Sequence, residues 1–398
     1  MRPESQIFLT HVPSQHNQAI KKPIYLSSTY EFADAEQGRQ ISATAYGLAD
    51  ASGYFYARMS HPNAEEFEQR LSILDASEAA LAFETGMAAI TTTLLCFLEA
   101  GSCILCSHES YSGAYSFITK QLPRFGITVL EFYPHHTQAQ IEEIIKESGQ
   151  EKNLKLIYFE TPTNPNNSLV DLEMMANIAQ KYGAISVVDN TYLGPCFQKP
   201  AKHHVDLSVY SATKYLGGHS DLVAGAVSGR AELIEKIRLL RHSLGNIANP
   251  FSSWLLCRST ETLHLRMERA AENAVKVAFF LNHHPAVSKV YFLGDIEPTH
   301  PTYAIFKKQC TAAGAMLAFD LKNEAQVPTF LDKLRLMKQA VSLGGTESLA
   351  TQPYHTTHAG WSPEAKAEIN ITPAMVRISV GIEHCDDLIA DLGQALSL

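Results

Sequence analysis

From about Ala64 onward, short runs of apolar and β-branched residues alternate with helix-length amphipathic segments. The runs are Ala79–Phe83, Cys103–Cys106, Ile127–Glu131, Leu156–Glu160, Ile185–Asp189, Leu207–Tyr210 and Val223–Ser228. Helices are expected between them, among them Met87–Leu98, Ile141–Glu147 and Leu172–Tyr182. Strands separated in this way read as a parallel sheet with crossover helices, an α/β architecture. A long helix is expected over Glu261–Leu281, where Leu263, Met267, Ala271 and Val275 are placed on one stripe. Beyond it, strands Met316–Asp320, Gln339–Val341 and Val376–Val380 alternate with helices near Phe330–Leu336 and Asp386–Leu396, the pattern of a smaller α+β unit. Residues up to about 60 lack regular periodicity, and Gly38 to Tyr54 is rich in Ala, Gly and Ser, which reads as an extended arm. The expected organisation is an N-terminal arm over 1–63, a large α/β domain over 64–260, and a linking helix with a small C-terminal α+β domain over 261–398.

Composition narrows the function classes. Apolar residues make up 45% of the 398 and charged residues 18%, the balance of a soluble globular chain that can bury a large core. A net charge of −9 without a Lys/Arg block gives no footprint for nucleic acid or anionic lipid. No signal-like N-terminus or stretch of about eighteen apolar residues appears, so a cytoplasmic protein without membrane contact is expected. The seven cysteines lack framework spacing and are expected to be reduced. Cys103 and Cys106 form a CxxC around Ile104-Leu105, which reads as a buried strand in preference to a redox or zinc site. The vicinal pairs His203-His204 and His283-His284 lack a completing ligand set, so no metal is expected.

Candidate chemistry concentrates at the carboxyl ends of the expected strands, where open parallel sheets place their binding sites. Asp189 closes one apolar run and precedes Asn190-Thr191-Tyr192. A carboxylate there suits partnership with a cationic ring nitrogen, although an aspartate at a strand end is by itself more often a helix cap or turn residue. After the next strand, Ser211-Ala212-Thr213-Lys214 sets hydroxyls one and three residues ahead of a lysine, a disposition fit for an imine-forming amine beside a phosphate. One strand separates Asp189 from Lys214, so both would face one crevice. Glu84-Thr85-Gly86-Met87 turns from a strand into an apolar helix, whose free N–H groups make an anion site, although generic strand-to-helix turns look alike. Neither GxGxxG nor GxxxxGK[ST] is present, which argues against a dinucleotide or nucleoside triphosphate.

The combination resembles the Cys/Met-metabolism family of enzymes that depend on pyridoxal 5′-phosphate (PLP), which includes cystathionine γ-synthase, cystathionine β- and γ-lyases and methionine γ-lyase. The motifs that carry the resemblance span nearly the whole chain. They are Tyr54-Phe-Tyr56-Ala-Arg58-Met-Ser-His-Pro62, Glu84-Thr-Gly86-Met87, Tyr111, Glu160-Thr-Pro-Thr-Asn164-Pro, Val188-Asp189-Asn190-Thr191, Ser211-Ala-Thr213-Lys214, Ser342-Leu-Gly-Gly-Thr-Glu-Ser348 and Val376-Arg377-Ile-Ser-Val-Gly-Ile382. The resemblance implies the PLP-dependent transferase-like fold of type I, with a mainly parallel sheet in the large domain. It implies Lys214 as the Schiff-base lysine, Asp189 as partner of the pyridine nitrogen, and Gly86, Met87, Ser211 and Thr213 as the phosphate cradle. Tyr111 would stack on the cofactor ring and handle leaving-group protons, Asn164 would hydrogen-bond the ring hydroxyl, and Arg377 with Ser342 would clamp the substrate α-carboxylate. Tyr56 and Arg58 would reach the phosphate of a neighbouring subunit, implying a homodimer and usually a homotetramer with shared sites.

Substrate choice turns on fewer residues. The resemblance implies that enzymes acting on cystathionine in the γ-branch carry an acid just before the Ser-Leu-Gly-Gly serine and an arginine five residues past the stacking tyrosine. Val341 and Ser116 stand there. That favours a smaller apolar side chain, and the lead expectation is a methionine γ-lyase yielding 2-oxobutanoate, ammonia and a thiol. Against it, Gly113 replaces the cysteine typical of methionine γ-lyases, and Arg241-His242 replaces their Lys-Asp pair. Cystathionine β- or γ-lyase stays open, as do cystathionine γ-synthase and O-acylhomoserine sulfhydrylase. A non-catalytic binding protein of the same fold is the alternative of another class, and the presence of Lys214, Asp189 and Arg377 speaks against it.

Overall fold

The computed structural model describes residues 1–10, 19–48 and 53–397. Residues 11–18 and 49–52 of the expected arm lie outside the described residues.

Seven strands form the larger sheet: β1 (Ala79–Phe83), β2 (Cys103–Ser107), β3 (Thr128–Phe132), β4 (Leu154–Glu160), β5 (Ile185–Asp189), β6 (Leu207–Tyr210) and β7 (Gly225–Gly229). They lie in the order β1-β7-β6-β5-β4-β2-β3. From β3 to β6 the pairing is parallel, while β7 runs antiparallel to both β6 and β1. β2 and β6 are buried throughout and β4 at every residue but Lys155, the two-sided burial that unbroken apolar runs specify. Parallel neighbours need crossovers, supplied by helices such as Gly86–Phe97, Gln138–Glu147 and Leu172–Tyr182. Their starts are encoded locally: Thr85 caps Ala88 N–H at 2.9 Å, Thr137 and Gln140 form a capping box, and Asp171 caps Glu173 and Met174. Because β4, β5 and β6 are parallel, Glu160, Asp189 and Tyr210 end at the same edge, and the loops after them share one crevice.

The second sheet has five strands in the order β10-β11-β12-β9-β8: β8 (Val287–Tyr291), β9 (Met316–Leu321), β10 (Lys338–Gln339), β11 (Leu349–Thr351) and β12 (Met375–Ser379). The helix Leu263–Asn282 lies between the halves, and one apolar cluster runs from Phe67 and Leu71 through Met267 and Ala274 to Leu317, Phe319 and Ile378.

Several expectations are corrected. The arm is not wholly extended: Ala35–Ala45 is a helix, with Asp34 accepting from Gln37 N–H at 2.8 Å. It buries only Ile41 and Ala45, too few apolar positions to set a periodicity. Val275 is 53% exposed. A strict step of four residues advances about 400° and drifts off the buried face within three steps. The observed stripe alternates steps of three and four through Leu263, Met267, Ala270, Ala274, Val277 and Leu281. Val341 falls outside β10, and the helix expected at Phe330–Leu336 spans Val327–Lys333. Cys103 and Cys106 are fully buried in β2 as free thiols.

Candidate active site

The edge where β4, β5 and β6 end opens on a cavity of about 490 Å³, lined from both halves of the chain. Gly86, Met87, Tyr111, Asn164, Asp189, Ser211, Thr213, Lys214, Val341, Ser342 and Arg377 all border it. Tyr56 and Arg58 do not. Arg58 lies over the Tyr56 ring, 5.8 Å from its centroid, and donates to the carbonyl of His242.

Lys214 Nζ donates to Ser342 Oγ at 2.7 Å. Burial, with Arg377 adding to it, lowers the amine to about 8, so a reactive neutral fraction exists near neutral pH. Ser342 holds a φ of 91°, in the left-handed region that a side chain disfavours. Its carbonyl accepts from Arg377 Nη2 at 2.7 Å, and Asn164 Oδ1 accepts from Arg377 Nη1 at 3.1 Å. Arg377 is buried, its Nε has no partner, and no carboxylate pairs with it among the described residues. A buried guanidinium left in this state is prepared for an anionic ligand.

Asp189 is 6% exposed, and burial raises its carboxyl above the usual range. Its Oδ1 accepts from Thr191 N–H at 3.1 Å and from Thr191 Oγ1 at 2.6 Å, which fixes the carboxylate in place. No cation among the described residues offsets it. The same Thr191 Oγ1 accepts Ser211 N–H at 3.0 Å, tying the loop after β5 to the loop after β6. Gly86 allows those loops to close: a Cβ there would stand 3.0 Å from both Cα and Cβ of Ser211. Thr213 Oγ1 exchanges bonds with Ala224, donating to its carbonyl at 3.1 Å and accepting its N–H at 3.0 Å.

Residues 6–397 match the family described as Cys/Met metabolism PLP-dependent enzyme. The chain belongs to this family of PLP-dependent enzymes. It is 40% identical over 379 residues to the cystathionine gamma-lyase of Bacillus subtilis (strain 168), covering 95% of this chain and 94% of that protein. It is also 40% identical over 381 residues to the L-methionine gamma-lyase of Fusobacterium nucleatum subsp. nucleatum, covering 95% and 93%. The solved cystathionine gamma synthase from Xanthomonas oryzae pv. oryzae, in complex with cystathionine, matches with a TM-score of 0.90 at 32% identity, over 100% of this chain and 98% of that one.

The cavity fits the cofactor of this family. A carboxylate buried without a counter-ion suits a protonated ring nitrogen, a lysine amine held near neutrality suits a carbonyl carbon, and the N-terminus of Gly86–Phe97 beside Ser211 suits a phosphate. Residues outside the expected set also shape the PLP enzyme's cavity. Glu160 and Thr191 stood inside quoted motifs without an assigned task. Thr357 and His358 come from a segment without periodicity that gave no signal. His358 is pushed down to about 4, by burial first and then by Arg377 and Lys366, and so is neutral at neutral pH. Its Nδ1 lies 3.0 Å from Thr357 Oγ1. Trp361 holds this segment in place, packing on His358, Tyr115 and His108 with centroids 5.3, 5.0 and 5.7 Å apart.

Arg241 and His242 are not cavity residues. Arg241 is 1% exposed and bonds Glu68 Oε1 at 2.6 Å and the Ala82 carbonyl at 2.7 Å. Gly113 lies under the Tyr111 ring, where an added Cβ would stand 2.6 Å from Cε1. Among the described residues no group of three or more His, Cys, Asp and Glu is placed to hold a metal, and no helix is long and apolar enough to cross a membrane.

Proposed function

We propose that the chain is a methionine γ-lyase, a carbon-sulfur lyase that converts methionine and water to 2-oxobutanoate, ammonia and methanethiol. The observation that carries this reading is the set of charges around the cavity. Within one subunit Lys214 and Arg377 are the only Lys or Arg side chains lining it among the described residues. The α-amino acid end of a substrate would take up both, and the Arg58 of a second subunit is committed to the phosphate. A second carboxylate at the distal end would find Val341 and a neutral His358. Val341 is 58% exposed, so the preference comes from the missing cation more than from burial.

PLP, bound, supplies an electron sink at the substrate α-carbon. The chain's own residues do the rest. Arg377 takes the substrate carboxylate, with Asn164 and Ser342 fixing the guanidinium from behind. Asp189 would keep the ring nitrogen protonated, and the amides at Gly86 and Met87 with the hydroxyls of Ser211 and Thr213, the latter turned from the Ala224 carbonyl, would hold the phosphate. Lys214 would take the α-proton to Nζ, give it up so that the amine is neutral again, and then take a β-proton, while Tyr111 would pass a proton from its hydroxyl to the departing sulfur. Tyr56 and Arg58, absent from their own cavity, complete the phosphate site of a second subunit, so the working form is a homodimer or a pair of homodimers in the cytoplasm.

A second reading, cystathionine lyase, is favoured by Gly113: the glycine is what allows the Tyr111 ring its position, and a cysteine there would displace it. Incubating the PLP-loaded enzyme separately with methionine, cystathionine and cysteine, and identifying the 2-oxo acid formed, tests the proposal. Formation of 2-oxobutanoate from methionine supports it; formation of 2-oxobutanoate or pyruvate from cystathionine, with none from methionine, supports the second reading.

A further inference from the structure

Glu160 ends β4 directly beside Asp189 at the end of β5, and the parallel register pairs the two residues. Glu160 is 5% exposed. Its carboxyl is pushed well above the usual range, by burial first and by the Asp189 charge second. A second carboxyl in this place is electrostatically unfavourable, and the two backbone N–H groups it accepts oppose that rise and favour the ionised form. Oε2 accepts the backbone N–H of Tyr111 at 2.6 Å, and Oε1 accepts the backbone N–H of Asn164 at 2.9 Å. Tyr111 belongs to the loop after β2 and Asn164 to the loop after β4. Asn164 in turn holds Arg377 through Oδ1.

Only a carboxylate presents an acceptor on both terminal atoms. A glutamine in the same place would offer one acceptor and turn its NH₂ toward the other N–H, leaving one loop unheld. A shorter aspartate would keep both acceptors and lose the span.

We propose that Glu160 is a positioning residue that sets the separation between Tyr111 and the Asn164–Arg377 pair around Asp189. The proton donor for the leaving group and the clamp for the substrate carboxylate are thereby held to one carboxylate and keep a common register. This rests on the reading of Tyr111 and Arg377 given above.

The test uses the PLP-loaded enzyme and the variants Glu160→Gln and Glu160→Asp. For Glu160→Gln, kcat is expected to fall at least about tenfold, with a changed visible circular dichroism of the bound cofactor, because the Tyr111 ring beside it has moved. Glu160→Asp is expected to lie between the wild type and Glu160→Gln in both readouts. The dichroic band reports geometry before any substrate is added, which a role confined to fold stability does not move. A smaller fall in kcat for Glu160→Gln, an unchanged band, or failure of both variants to accumulate as folded protein overturns the proposal and leaves Glu160 as a stability residue. Tyr111→Phe separates the two levels: wild-type kcat there removes the role read for Tyr111, while the Glu160→Gln band still decides the positioning.

Discussion

The Lys214 amine is joined to the Ser342 hydroxyl at 2.7 Å, across 128 positions of the chain. The bond links the loop after β6 to the segment between β10 and β11, so Lys214 is held by the same residue whose carbonyl steadies Arg377. Ser342 maintains a left-handed backbone in doing so, at a cost of roughly 1–3 kcal/mol that is sustained where surrounding bonds over-determine the position.

Burial lowers Lys214 to about 8, and the neutral amine is the form that attacks a carbonyl. Capture of PLP by the apoprotein is therefore expected to accelerate as pH rises through a midpoint near 8. Stopped-flow growth of the visible band measures it, and a midpoint above about 10, the range of an unperturbed lysine, would contradict the burial argument. Lys214→Ala should give neither the borohydride-sensitive band nor turnover.

Tyr56 and Arg58 are expected to serve a neighbour's site. Mixing Arg58→Ala with Lys214→Ala subunits then creates hybrid dimers with one intact site of two, and activity should recover toward about half of wild type per hybrid, or about a quarter over a randomly exchanged mixture. Native mass spectrometry must show the hybrids. Proven hybrids without activity place Arg58 outside the partner's site.

Asp75 supplies a pH test of the fold. It is wholly buried, accepting from Tyr210 Oη at 2.7 Å and from Ser228 Oγ, and burial raises its carboxyl to about 6. The native state thus binds the proton more tightly than the unfolded chain between about pH 6 and 4, and this group contributes stability as pH falls through 6. From pH 7 to pH 5 the wild type should gain roughly 1 kcal/mol that Asp75→Asn does not. Equal pH dependence of the two proteins in thermal or denaturant unfolding would refute the assignment.

Much of the fold was legible because parallel strands buried on both faces appear as short apolar runs between turns: Ala79–Phe83, Ile185–Asp189 and Leu207–Tyr210 have the expected bounds. That Lys214, Asp189 and Arg377 border one cavity was legible because their loops carry recognisable residue sets. Glu160's bonds were not, since they join a side chain to amides on two separate loops, one of them 49 residues away, and no local pattern encodes such a span. His358 was invisible for a related reason: the fold alone brings it beside Arg377. The arm helix Ala35–Ala45 escaped because two buried residues make no stripe.

Substrate choice is the central claim, and the ratio of kcat/KM for methionine to that for cystathionine, measured on one PLP-loaded preparation, tests it most directly. The missing distal cation predicts that methionine is preferred, and that Val341→Glu lowers kcat/KM for methionine while raising the relative value for cystathionine. A preference of the unmodified enzyme for cystathionine by more than about tenfold, roughly 1.4 kcal/mol of transition-state free energy, would contradict the account and make the chain a cystathionine lyase.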